Sequence, residues 1–140
     1  MKIVIPIQII ELEETNVHAV ISSEFEDGSS GKWLIDTGAS KTVFDKNKIQ
    51  YFNNINEEEE ILSAGISELP LKISLAILKP IHFGKLKIED LKVALLDMNH
   101  INKLYLKSVN FEIFGFLGGD FLMKYKAEIS YRKKLLILNI

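Results

Sequence analysis

A chain of 140 residues is long enough for one domain with a real hydrophobic core. Its 47% apolar and 26% charged content is that of a globular chain, not a disordered one. A net charge of −2 offers no basic face, so neither nucleic acid nor a membrane surface is an expected partner, and with no cysteine the fold needs no disulfide.

Ile3, Ile5, Ile7 and Ile9 alternate with Lys2, Pro6 and Gln8, a period of two that predicts a half-buried strand. Pro6 puts that strand at a sheet edge or at its own start. The stretch from Met1 to Glu11 is too short and too interrupted for a signal peptide or membrane span, which gives a cytoplasmic expectation. Glu13 to Asn16 reads as a turn, after which Val17, Ala19, Ile21 and Phe25 resume the alternation. Asp27-Gly28-Ser29-Ser30-Gly31 is a loop by composition, and Lys32 to Ile35 returns as strand.

Lys41 to Phe44 predicts another strand, with Asp45 set to cap a short helix reaching Ile49. Tyr51 to Asn56 is polar, and the run Glu57 to Glu60 reads as a solvated face without a catalytic role. Leu71, Ile73, Leu75 and Ile77 form a strand that Lys79-Pro80 ends. Phe83-Gly84-Lys85 is a tight turn into Leu86 and Ile88, and a phase slip at Glu89-Asp90 before Leu91, Val93 and Leu95 predicts a bulge. One irregular helix is expected over Ile101 to Leu106. Phe111 to Leu117 is apolar, and Gly119-Asp120 opens a short helix, Phe121 to Lys126, with Asp120 as its cap. Ala127, Ile129 and Tyr131 alternate, Arg132-Lys133 turns, and Leu135 to Leu138 closes the chain as strand. Many short strands, regular turns, one or two short helices and no internal repeat predict a mainly β, closed, barrel-like single domain over residues 1–140.

One stretch carries chemistry. In Trp33-Leu34-Ile35-Asp36-Thr37-Gly38-Ala39-Ser40 an apolar run delivers a carboxylate into a tight polar turn. Gly38 permits a sharp reversal, and Thr37 and Ser40 place hydroxyls beside the acid. On the tripeptide alone an ordinary strand-ending turn is the simpler reading, because Asp and Gly favour turns for conformational reasons.

The flanks resemble the aspartic proteases, specifically the small retropepsin-like branch with its bacterial members. Leu34 to Ser40 matches the hydrophobic-hydrophobic-Asp-Thr-Gly-Ala/Ser-Ser pattern at every position, and Phe116-Leu117-Gly118-Gly119-Asp120-Phe121-Leu122 is similar to the family's second element, in the right order. The resemblance implies that Asp36, Thr37 and Gly38 are catalytic, with Ala39 and Ser40 at the substrate. It also implies a flap over Ile61 to Ser67, with Ala64 and Gly65 at the substrate; turn chemistry alone equally fits a plain connecting hairpin.

Gly118 is expected to pack under the Asp36 loop, and Asp120 to support the structure. Some retroviral members place an Arg where Gly119 stands, so their salt bridge is absent. With one Asp-Thr-Gly in the chain, the resemblance implies that the second Asp comes from a second copy: a homodimer with the site on its two-fold axis. The implied activity is peptide-bond hydrolysis on peptide or protein substrates, needing no metal, cofactor or covalent nucleophile.

His18, His82 and His100 lack zinc-ligand spacing and read as surface or strand histidines. Trp33 reads as core or cleft wall. Gly28 to Gly31 precedes a strand and lacks a P-loop lysine. Two other functions stay open: a catalytically weak or inactive retropepsin-like peptide-binding or dimerisation module, and a small-ligand β-barrel in which Asp36 is only a turn residue.

Overall fold

The structure, a computed structural model, describes residues 1–12, 16–61, 71–107 and 109–140. Thirteen strands and two short α-helices are present among them. The first half supplies β1 (Lys2–Pro6), β2 (Gln8–Leu12), β3 (Asn16–Phe25), β4 (Ser30–Ile35), β5 (Val43–Asp45) and β6 (Phe52–Ile61), with a 3-10 turn at Ile49–Tyr51 before β6. The second half supplies β7 (Leu71–Leu78), β8 (Ile81–Phe83), β9 (Leu86–Ile88), β10 (Lys92–Leu96), α1 (Asn99–Leu106), β11 (Ile113–Leu117), α2 (Gly119–Lys124), β12 (Glu128–Ser130) and β13 (Leu135–Asn139).

Two sheets result. A three-stranded one runs β1-β13-β12, and a large curled one runs β6-β7-β10-β5-β11-β4-β3-β8-β9, with β2 added against β3. The mainly β, barrel-like expectation holds. Most pairings are antiparallel, but β4 with β11 and β5 with β10 are parallel. The parallel β4–β11 pair matters most, because it brings the ends of two distant strands, Ile35 and Leu117, side by side.

The main core is aromatic. Trp33, Phe44 and Phe83 are fully buried, and Trp33 lies 5.6 Å from the Phe44 ring and 5.5 Å from that of Phe83. The Trp33 Nε1–H donates to Ser23 Oγ at 2.7 Å, which satisfies the one polar atom of the indole. Leu136 and Leu138 of β13 and Ile3 and Ile5 of β1 enter the same core, so the small sheet packs onto the large one. Gly115 lets β11 approach β5: a Cβ there would stand 1.9 Å from the Val43 carbonyl oxygen.

Several local expectations change. The Ile3–Ile9 alternation is two strands, not one: β1 pairs with β13, while β2 pairs with β3 in the other sheet. Alternation reports which face is buried, not which partner buries it, so a chain crossing between sheets at Ile7 keeps its rhythm. Glu57 to Glu60, a solvated face or loop by expectation, belong to β6, paired antiparallel with β7; the run is strand and not loop, and Glu57 is exposed, as a solvated face requires, and meets Lys92 at 2.9 Å. Asp45 caps no helix: it ends β5, is buried, and accepts Asn47 N–H at 3.1 Å and Met98 N–H at 3.3 Å. At Glu89-Asp90 the chain leaves β9, paired with β8, for β10, paired with β7 and β5. The phase slip is a change of partners, not a bulge. A register shift falls instead between Asn54 and Glu58 of β6, where Asn56 takes φ 54°, a left-handed conformation Asn tolerates better than most residues. No helix among the described residues is long and apolar enough to cross a membrane.

Candidate active site

Asp36 follows β4 directly, because Leu34 and Ile35 complete the strand and the polar turn residues cannot continue into the core. Its backbone N–H donates to Leu117 O at 3.0 Å, extending the parallel pairing by one step. The carboxylate folds back over its own turn: Gly38 N–H donates to Asp36 Oδ1 at 3.1 Å, and Ala39 N–H to Asp36 O at 3.2 Å. One carboxylate oxygen is thereby fixed in direction. Asp36 is half-buried, while Thr37, Gly38 and Ser40 are exposed.

The second motif lies directly beneath. Gly119 N–H donates to Ala39 O at 2.7 Å and Asp120 N–H to Ser40 O at 3.3 Å. Gly118 N–H donates to Thr42 Oγ1 at 3.2 Å, and the same hydroxyl donates to Asp120 Oδ1 at 2.8 Å. Gly118 has no room for a side chain: a Cβ would sit 2.5 Å from Lys41 O and 2.9 Å from Ala39 O. Both neighbours are backbone, so the contact cannot be relieved by a rotamer change.

Helix α2 starts at Gly119, two residues before the expected Phe121, with Gly118 as its N-cap. Asp120 therefore sits inside the first turn, where its Oδ1 takes both the Phe121 N–H, at 2.8 Å, and the Thr42 hydroxyl. Gly38 also differs from expectation. It does not adopt a left-handed φ, and a Cβ there would meet only Asp36 Oδ1, at 3.5 Å, an ordinary contact.

A cleft of about 400 Å³ opens beside Asp36. Leu34, Ile35 and Phe116 form its floor from β4 and β11, and Leu12 and His18 form one wall from β2 and β3. Ile101, Leu104 and Tyr105 form another wall from α1. The lining is mainly hydrocarbon around one carboxylate, the composition expected of a binding pocket. A depression of about 520 Å³ around Ser22, Glu26 and His82 shares no lining residue with it.

Helix α1 is held in place by a side chain acting as a strand. Asn102 Nδ2–H donates to Ile113 O at 3.0 Å while Ile113 N–H donates to Asn102 Oδ1 at 2.7 Å, both buried. At its start, Asn99 N–H donates to Asp97 Oδ1 at 2.9 Å and Asn47 Nδ2–H to the same oxygen at 2.8 Å. The Asn99 amide, then the Asn47 side chain, hold the Asp97 carboxyl below its ordinary range.

Of the residues singled out in the sequence, Asp36 to Ser40 and Gly118 to Asp120 come together. Ala64 and Gly65 lie outside the described residues, as does the flap from residue 62 onward. The arms leading there, β6 and β7, form a hairpin paired as far as Ile61 and Leu71. Trp33 is core. His82 is a surface residue 3.5 Å from Glu26, and His100 is exposed, whereas His18 lines the cleft. No group of three acidic, His or Cys residues among the described residues could hold a metal ion. Sequence reasoning missed Thr42, Asn102, Tyr105 and the cleft position of His18. For Thr42 a signal existed, a hydroxyl beside the apolar Val43-Phe44; for the others none did, because their partners lie elsewhere in the chain.

The pairing of an Asp-Thr-Gly loop with a Gly-Gly-Asp turn on a curled β half-barrel defines a class, and comparison with known proteins agrees. The chain has a retropepsin-like fold. It superposes with TM-score 0.54 on the crystal structure of a retropepsin-like aspartic protease from Rickettsia conorii, over 99% of this chain and 89% of that one, at 20% identity. It also matches the crystal structure of edgp with TM-score 0.58 and 7% identity, over 99% of this chain but 46% of that one, so it spans under half of edgp. Residues 17–121 match the family described as Aspartyl protease, and the chain belongs to that family. No curated protein sequence matches it.

Proposed function

We propose that two copies of this chain assemble into an aspartic endopeptidase, with one Asp36 from each facing the other across the two-fold axis. The observation that carries this reading is the Asp36 loop itself. A half-buried carboxylate with one oxygen fixed by Gly38 N–H stands beside an apolar cleft, on a turn tied from below to Gly119 and Asp120.

The chain holds a single Asp-Thr-Gly, so the chemistry needs the second copy. Two carboxylates brought that close cannot both stay ionised; sharing one proton is the general behaviour of aspartic-protease dyads, not a property derived from this chain. The ionised acid takes a proton from water as the oxygen attacks the peptide carbonyl. The protonated acid hydrogen-bonds that carbonyl, and a proton then passes to the leaving nitrogen.

Gly38 supports the assembly. Neither its backbone angle nor crowding among the described residues calls for glycine, which leaves room at this turn for a close approach by the partner loop and by substrate. Thr37, exposed at the same turn, is assigned the bond across the axis. Ala39 and Ser40 have their carbonyls engaged by α2, which leaves their side chains for the substrate, together with Ala64 and Gly65 of the flap. Gly118 and Asp120 hold the loop. The substrate is an extended, largely apolar peptide, added as a strand between flap and floor. Residues 1–140 act as one domain, since both chain ends pack into the core that holds Trp33.

Asp36→Asn tests the reading. The variant should lose all cleavage of a mixed peptide library at acidic pH, while circular dichroism and sedimentation stay as in the parent. Residual cleavage at the parent rate would remove Asp36 from the chemistry, and a protein that sediments as a monomer at every concentration would end the dimer mechanism.

A further inference from the structure

We infer that His18 sets a preference for an acidic side chain in the cleft beside Asp36, its imidazole receiving the carboxylate of a substrate glutamate. The inference deepens the proposed peptidase function and rests on its dimer for the charge in the cleft. His18 lies on β3, opposite Ile10 of β2, and lines the cleft together with Asp36. It is half-buried, so a group entering the cleft reaches it. Its ring stands 5.8 Å from that of Tyr105 on α1, at an interplanar angle of 57°. Among the described residues the imidazole has that ring contact and no hydrogen bond or ion pair.

The rest of the lining gives it no neutralising partner of its own. Leu12 of β2, Leu34 and Ile35 of β4, Phe116 of β11, and Ile101 and Leu104 of α1 offer hydrocarbon side chains. The Tyr105 phenol, pushed up to about 12 by burial, stays neutral at any working pH. Asp36 is the one anion of the cleft, and in a dimer it is shared. At the acidic pH that suits a pair of acids holding one proton, an imidazole carries a proton and both its nitrogens donate. Two copies then bring two imidazolium groups against a single negative charge on the Asp36 pair, which leaves the combined site one positive charge in excess.

A peptide that fills the cleft takes water away from that excess charge, and a buried charge is costly unless it is paired. The substrate supplies the pair when it carries a carboxylate. Glutamate has two methylenes to lie along the hydrocarbon lining and an ionised acceptor at its end, and a bond between two charged groups is about twice as strong as a neutral one. Glutamine has the same shape without the charge, so comparing the two isolates what the imidazole reads.

The experiment uses degenerate octapeptide libraries in which Glu or Gln is fixed at each position in turn, at about pH 5, between the ordinary values of glutamate and histidine. Binding is measured to Asp36→Asn protein, which holds peptide without cutting it, and to the same protein carrying His18→Gln or His18→Phe. The first replacement keeps a neutral polar group and the second keeps a ring against Tyr105; circular dichroism checks that each folds. At one position Asp36→Asn protein should bind the Glu library about 5- to 10-fold more tightly than the Gln library, the difference between a charge-assisted and a neutral hydrogen bond. In both His18 variants that ratio should fall to about one, whereas a change of cleft shape alone would move the two libraries together. A Glu preference that survives loss of His18, a ratio of about one at every position in the starting protein, or no binding of any library overturns the inference. Cleavage of the same libraries by protein with Asp36 intact is scored separately. A His18-dependent Glu preference in binding without any cleavage upholds His18 and sinks the protease reading, whereas cleavage with no Glu preference in any His18 form does the reverse.

Discussion

Replacing Thr42 by valine tests the connection beneath the Asp36 loop with almost no change of shape. Thr42 is fully buried. Its hydroxyl accepts from Gly118 N–H at 3.2 Å and donates to Asp120 Oδ1 at 2.8 Å, so one atom ties the segment that follows the Asp36 loop to two residues of the second motif. Valine keeps the branched Cβ and opens no cavity, so the cost is polar. The buried Gly118 N–H loses its acceptor, which costs about 1–3 kcal/mol. Asp120 is exposed, and water replaces most of what it loses. A net loss of about 2 kcal/mol corresponds to a fall in Tm of roughly 6–10 °C for a chain of this size. Urea unfolding should show a lower midpoint at an unchanged slope, because the surface exposed on unfolding is the same. Asp120→Asn, which keeps an acceptor for Thr42, should cost well under half as much, and the double variant should fall short of the sum, since the two residues share one network. A Thr42→Val protein melting within about 1 °C of the parent, where one hydrogen bond is worth several degrees, refutes the argument.

Gly118→Ala should destabilise the fold by about 1–3 kcal/mol through overpacking against the backbone at Lys41 and Ala39. It should lower any cleavage rate further by displacing Asp36; a variant as stable and active as the parent would show that the loop has slack. Burial pushes the Tyr105 phenol up to about 12. A value raised on folding contributes stability that is complete below pH about 10 and is lost as pH rises through the folded value. Ultraviolet titration should therefore show one of the four tyrosines ionising last, with that step and the matching alkaline loss of Tm absent from Tyr105→Phe. Four tyrosines titrating together would contradict the burial.

Much of the site was legible because its chemistry is local. An apolar strand, a carboxylate and a polar turn stand next to one another in Leu34 to Ser40, as do the glycines and acid of Gly118 to Asp120. Alternation likewise located most strands, and the helix over Ile101 to Leu106 emerged within α1. What failed concerned partners. The run Ile3 to Ile9 looked like one strand, since burial on one face has the same rhythm whichever sheet supplies the cover. Asp45 looked like a helix cap because a carboxylate before a polar stretch has that local signature; besides the nearby Asn47 amide it accepts that of Met98, far along the chain.

The sequence by itself determined the chemistry on offer: one Asp in a glycine turn, a second turn to support it, and strands enough to carry both. Tertiary structure alone decided what meets what. Thr42 reaches Asp120 across 78 positions, and Asn102 serves as a strand partner for Ile113. Helix α1 becomes the wall of the Asp36 cleft, with the Tyr105 hydroxyl buried in it. The physical reason is that strand periodicity and turn propensity act over a few residues, whereas hydrogen-bond pairing and the shape of a cleft are set by groups whose separation along the chain leaves no local trace.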